Sequence, residues 1–433
     1  MATSLFLGQT LSFDNNPFTA GLGAARYQRQ GAVAVRDGFI IEVGEADALR
    51  ARYSESQVVD HGDALLIAGF VDAHVHYPQT GIIASWGKRL IDWLETYTFP
   101  EEMRFGDADH ATRMAGLYFD FSLANGITSA ASFCTIHPES VDAYFTAAQS
   151  RGMRMIGGKV MMDRNAPDGL RDTAQTGYDQ SKALLEKWHG VDRLGYAITP
   201  RFAPTSTPEQ LSAAGALWAE HPDCAMQTHL SEQREEIAWM KELFPDHPDY
   251  LSVYEAHGLA GPGAIMGHSI HLTTREIAAL VATGSGVSHC PTSNTFIGSG
   301  LCDVRGLVGQ GIPVGLATDV GGGSSFSMLR TMASAYEVGQ LRGDSLHPAE
   351  LLWLATQGAA DTLRIGTKVG NLVAGREADI TVLDLASTPV IAQRAERADD
   401  IWGAVFPTMM LGDDRAVTQV YVAGKAMLPS SHA

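Results

Sequence analysis

The sequence predicts an α/β protein: a (β/α)8 TIM-type barrel with a small β-sandwich domain built from the N- and C-terminal segments. Three observations predict it. Strand-like apolar segments recur eight times, at 65–75, 126–130, 154–160, 194–199, 224–228, 264–267, 286–288 and 313–317. Helical patterns lie between most of them, as at 140–151, 179–188, 208–219 and 274–282. The two ends of the chain carry strand patterns of their own.

A chain of 433 residues has room for one large domain and a small one. The expected boundaries are 1–67 and 371–433 for the two parts of the β-sandwich and 68–370 for the barrel. In the first part, 31–43 alternates valine and isoleucine around Asp37-Gly38, which is a hairpin signal. In the last part, 379–384 and 416–422 read as strands. An open doubly wound sheet is the alternative to the barrel. It usually places a Gly-x-Gly-x-x-Gly turn after its first strand, and none stands there.

Composition narrows the function. Lys and Arg number 31 against 49 Asp and Glu, so the formal charge is −18. Binding to a phosphate backbone needs clustered cations, which argues against nucleic acid as a partner. No apolar run is long enough for a membrane span, and the opening segment 1–5 has no basic n-region, so neither a membrane partner nor a secretory signal is expected. Four scattered cysteines, at 134, 224, 290 and 302, form no Cys-x-x-Cys and read as reduced thiols of a cytoplasmic protein.

Chemistry enters at the end of the first barrel strand. His74 and His76 are two residues apart, so on a strand both imidazoles share one face. A lone His-x-His could equally be two polar residues in a turn before Pro78. The other strand ends change that reading. His229 ends the fifth strand, His268 the sixth and Asp319 the eighth. In a barrel the carboxyl ends of the strands converge on one face, so these five residues are candidates for a single metal site. Such a metal lowers the pKa of its bound water toward about 7. Glu232, three residues beyond His229, is the candidate proton carrier, or else a carboxylate at a helix start.

These residues carry a resemblance. The run from Gly69 to His76, then His229 with Glu232, His268, Asp319 and the late 375–380 element together resemble the amidohydrolase superfamily across nearly the whole chain. Within it, four segments resemble the guanine-deaminating branch: 76–80, 91–100, 200–205 and 289–294. The resemblance implies His74, His76, His229 and Asp319 as metal ligands. It implies Glu232, Asp319 and His268 as catalytic residues, with His268 beside the metal's water. It implies Gln79, Arg201 and Phe202 as the purine-binding residues. Arg201 could otherwise be a surface ion-pair residue, but its place at a strand end argues against that. The guanidinium suits a ring carbonyl, the Gln79 amide suits amide-like ring groups, and Phe202 offers a packing face.

The activity implied is metal-dependent hydrolytic deamination of guanine to xanthine and ammonia. Hydroxide would attack C2, Glu232 would protonate N3, and Asp319 with His268 would carry the water's proton toward the leaving amine. One Zn²⁺ per chain is expected, with Fe²⁺ as the alternative for a nitrogen-and-oxygen ligand set. A second metal would need a bridging carboxylated lysine from the fourth strand. Lys159 stands at the end of the third, so one metal is favoured. The His-x-Glu and Pro-Cys-x-x-Cys signature of other nucleobase deaminases is absent. The family resemblance also implies a homodimer. Another purine, a pterin or a triazine ring stays open as the substrate. A non-catalytic scaffold is a further alternative, although a scaffold would be expected to have lost ligands.

Overall fold

In the computed structural model, residues 3–87 and 89–428 are described. Met1 and Ala2 of the opening segment, Lys88, and 429–433 of the expected C-terminal part lie outside the described residues. The chain opens with β1 (Ser4–Phe13), β2 (Ala25–Arg36), β3 (Phe39–Glu45) and β4 (Gln57–Ala68). The middle carries β5 (Phe70–His76), β6 (Ile127–Phe133), β7 (Arg154–Gly158), β8 (Val160–Met161), β9 (Gly195–Pro200), β10 (Ala225–Leu230), β11 (Ala264–His268), β12 (Gly286–His289) and β13 (Val314–Leu316). It closes with β14 (Ile380–Leu383), β15 (Val417–Val422) and β16 (Lys425–Ala426).

By its internal packing the chain divides into two compact units. One comprises Met1–Asp72, Asp120–Ser129 and Phe326–Ala433, and the other Ala73–Phe119 and Ala130–Ser325. This division groups the chain after Phe326 with the terminal strands, whereas the sequence reading drew its line at residue 370.

The terminal unit holds a mixed seven-stranded sheet, in the order β16-β15-β14-β4-β1-β2-β3. Both chain ends therefore enter one sheet. Alternation gives it two apolar faces. Phe6, Val33, Val35, Leu66, Ile380 and Val382 pack on one face, and Leu5, Leu7, Ala32, Ala34 and Leu49 on the other. The expected hairpin is present: Arg36 pairs with Phe39 across Asp37 (φ 54°) and Gly38 (φ 83°). Two consecutive left-handed residues match the twist of the flanking strands, which is why Asp-Gly occurs there.

The barrel strands run in the order β13-β12-β11-β10-β9-β7-β6-β5, with β8 also on β9. All eight expected strands are present, and the pairs from β9 to β13 are parallel. The ring closes where Asp319 N donates to the His74 carbonyl (3.0 Å) and His76 N to that of Val320 (2.7 Å). The expected helices stand between strands, at Pro138–Arg151, Ala174–Trp188, Pro208–Glu220 and Thr274–Thr283. Two expected strands are interrupted. The run 65–75 breaks at Gly69, where the chain leaves the terminal sheet and enters the barrel. A Cβ there would meet Thr128 Oγ1 at 2.2 Å, so only glycine fits the crossing. The run 154–160 breaks at Lys159, whose backbone N–H donates to the Tyr196 hydroxyl instead of to a strand.

Candidate active site

Strand β5 presents His74 and His76, β10 presents His229 and β11 ends on His268. Asp319 stands just beyond β13. Nε2 of His74 and of His76 lie 3.3 and 3.6 Å from Asp319 Oδ1. Nε2 of His76 and of His229 are 3.1 Å apart. Phe133, the last residue of β6, packs its ring 4.7–4.8 Å from His74, His76 and His229 and so fixes their planes. Two of these residues sit in left-handed backbone, His268 at φ 64° and Asp319 at φ 49°. Such a conformation costs a β-carbon residue roughly 1–3 kcal/mol and persists where surrounding structure over-determines it.

The electrostatics suit a cation. Burial, and then the neighbouring imidazoles, hold His76 and His229 well below the ordinary histidine range, so both rings are neutral. Nδ1 of His229 donates to the Arg201 carbonyl at 2.7 Å, which turns the bare Nε2 lone pair inward. Nδ1 of His76 is buried without a hydrogen-bond partner. Ring nitrogens of His74, His76 and His229 all lie within 4.8 Å of one another, as do donor atoms of His74, His268, Cys290 and Asp319. Neutral nitrogen donors beside a carboxylate are the donor set of a divalent metal, and the arrangement fits one. Cys290 comes as close as the expected residues do, which its sequence context did not suggest.

Beside this cluster stands the carboxyl of Glu232. Burial raises the pKa of Glu232, and its Oε1 accepts from Ser299 Oγ at 2.7 Å. Glu232 does not cap the following helix. Gln233 is the N-cap of Arg234–Leu243, and Glu236 completes that capping box. This separates Glu232 from the helix-start reading. His268 lies between two carboxylates, its Nε2 3.5 Å from Glu232 Oε2 and 3.8 Å from Asp319 Oδ2. Burial lowers its pKa, but Glu232 and Asp319, joined by the Asn294 hydrogen bond and Glu236, together raise it. Its Nδ1 donates to Asn294 Oδ1 at 2.8 Å, which sets the ring plane.

A cavity opens from the cluster, and Gln79, Arg201, Phe202 and Glu232 line it. Its far wall comes from Leu90, Trp93, Leu94 and Thr98. All nine residues singled out in the sequence thus gather at one site. Arg201 is buried rather than at the surface: its NH1 donates to Glu102 Oε2 at 2.8 Å. Oε1 of the same Glu102 accepts from Gln79 Nε2 at 2.9 Å. Sequence reasoning missed Glu102, Phe133, Asn294 and Ser299. Glu102 stands beside Glu101, which serves a different network with Arg104 and His110, and nothing local tells the two apart. Lys159 is not at the metal cluster: its Nζ bonds Asp172 Oδ2 (2.5 Å) and the Val160 carbonyl (3.2 Å).

This strand-end cluster sits on a barrel, and residues 65–427 match the Amidohydrolase family: the chain is a hydrolase of that family. Its relatives include the guanine deaminase of Escherichia coli (strain K12), 42% identical over 421 residues, which cover 97% of this chain and 95% of the relative. Among solved structures, E. coli guanine deaminase superposes with a TM-score of 0.96 at 41% identity, covering 98% of this chain and 99% of that one. Guanine deaminase from C. acetobutylicum with bound guanine in the active site superposes with a TM-score of 0.90 at 28% identity, covering 98% and 100%.

Proposed function

We infer that this chain hydrolyses guanine to xanthine and ammonia. The observation that carries the reading is one cavity with a cation-ligating cluster at one end and the Arg201–Glu102–Gln79 network on its wall. The similarity to guanine deaminases over almost the full chain supports it.

A divalent metal held by His74, His76, His229 and Asp319 would supply a water of lowered pKa next to the purine C2. The rest falls to side chains. Arg201 donates to the ring carbonyl, Gln79 bonds an amide-like ring group, and Phe202 packs against the ring face. Glu232, whose pKa burial raises, gives a proton to N3 and makes C2 electrophilic. Asp319 and His268 accept the proton lost by the attacking water and return it to the amine. The C2–O bond forms, the C2–N bond breaks, the nitrogen leaves as ammonia, and the remaining proton of the C2 hydroxyl returns to Glu232 as the xanthine carbonyl forms.

The metal we assign is one Zn²⁺ per chain. Neutral imidazoles with one carboxylate support it, and the ion pair that engages Lys159 speaks against a bridging role for that lysine. No helix among the described residues is long and apolar enough to cross a membrane. The four cysteines are buried and form no disulfide among the described residues, which supports a reducing, cytoplasmic setting, and the family resemblance supports a homodimer. The test is ultraviolet spectroscopy of guanine with purified protein, before and after chelation. Conversion to xanthine that stops with chelator and returns with one equivalent of Zn²⁺ is expected. Faster turnover of a pterin or triazine, or activity indifferent to chelation, would overturn the reading.

A further inference from the structure

The geometry points to Glu102 as the residue that sets substrate choice, by fixing the order of hydrogen-bond donor and acceptor on the cavity wall. This rests on guanine being the substrate. Glu102 is fully buried and Arg201 only 3% exposed, so water cannot stand in for either partner. A carboxylate accepts and never donates. Gln79 must therefore turn its amide nitrogen toward Glu102, as it does at 2.9 Å. That turns the amide oxygen the other way, where Gly321 N–H approaches it at 3.4 Å. Two independent contacts thus agree on one amide orientation. The same carboxylate holds the Arg201 guanidinium through one of its five N–H groups and leaves the others available.

The wall consequently offers the purine a donor from Arg201 and an acceptor from Gln79 Oε1. Guanine carries the complement, a carbonyl oxygen at C6 beside an N1–H. The purine 2,6-diaminopurine keeps the same leaving amine at C2 but reverses that edge, with an amine at C6 beside a bare N1. Discrimination between them comes from mismatched buried hydrogen bonds, which a fixed wall cannot repair. With Glu102→Gln, the new amide at position 102 keeps an oxygen for Arg201 but aims N–H groups at Gln79. Gln79 then rotates, and its own N–H groups face the purine.

The experiment measures kcat/KM for guanine and for 2,6-diaminopurine in three proteins: wild type, Glu102→Gln, and the exchange Gln79→Glu with Glu102→Gln. In Glu102→Gln the guanine preference is expected to fall roughly ten- to hundredfold, the worth of one paired edge contact. The exchange variant regains the preference, because position 79 then offers only acceptors and position 102 supplies the N–H. A merely structural role would depress both substrates alike, and an unmoved ratio in Glu102→Gln overturns the proposal. Should that variant not fold, the exchange variant decides: a folded exchange without guanine preference overturns it. Absence of guanine turnover by the wild type would overturn the assigned activity and this role with it. Turnover by the wild type with an unchanged ratio in the variant removes only the role of Glu102.

Discussion

Glu232 is the carboxyl proposed to give a proton to the ring nitrogen N3. Its burial favours the protonated form, and Ser299 holds one oxygen in place. Glu232→Gln removes the proton donor without touching a metal ligand. A loss in kcat of at least about 10²-fold is expected, with metal content unchanged by elemental analysis. A variant with wild-type kcat would show that Glu232 moves no proton. Arg201→Ala has two consequences, because it also strands the fully buried Glu102. The kcat/KM for guanine should fall by roughly 2–3 kcal/mol, and denaturant melts should show a stability loss of roughly 3–5 kcal/mol. A loss of affinity with intact stability would mean that Glu102 finds another partner. His-x-His, His229, His268 and Asp319 were legible because each sits where a strand pattern ends. Glu102 was not, because its partner Arg201 is 99 positions away and only the fold brings them together.

Among the elements, strand packing explains where the sequence pattern broke. At Gly158, the end of β7, a Cβ would lie 1.8 Å from the Ala197 carbonyl oxygen of β9. That is backbone, which cannot swing aside. Gly158→Ala should therefore force the strands apart and cost at least about 1–3 kcal/mol, read as a lower Tm by calorimetry. An unchanged Tm would mean that β7 can shift along the barrel. β7 ends at Gly158, and the next N–H, that of Lys159, goes to the Tyr196 hydroxyl. Alternation and apolar content cannot report such a break, because they describe what a segment prefers and not how near its neighbour runs. The switch at Gly69 was invisible for the same reason: 65–75 reads as one largely apolar run across it.

For the molecule as a whole, the buried acids leave a signature in stability against pH. Burial, followed by the charge of nearby Glu232, raises Glu236 from 4.5 to about 7. The folded state then holds a proton that the unfolded state has released, so stability contributed below pH 4.5 is lost as pH rises through 7. Denaturant unfolding between pH 4.5 and pH 7.5 should show this decline in the wild type and a shallower one in Glu236→Gln, which keeps a helix-capping acceptor. Equal slopes would place the titration elsewhere. By itself the sequence determined the barrel, the terminal β unit, the five strand-end residues and, through resemblance, the family. These rest on local properties: periodicity, strand length and the residue that follows each strand. Only the tertiary structure decided that Phe133 orients the imidazoles, that Cys290 stands beside them, that Lys159 is engaged elsewhere and that one carboxylate holds both Gln79 and Arg201. Those facts depend on side chains far apart in sequence meeting in space, and no local pattern encodes that meeting.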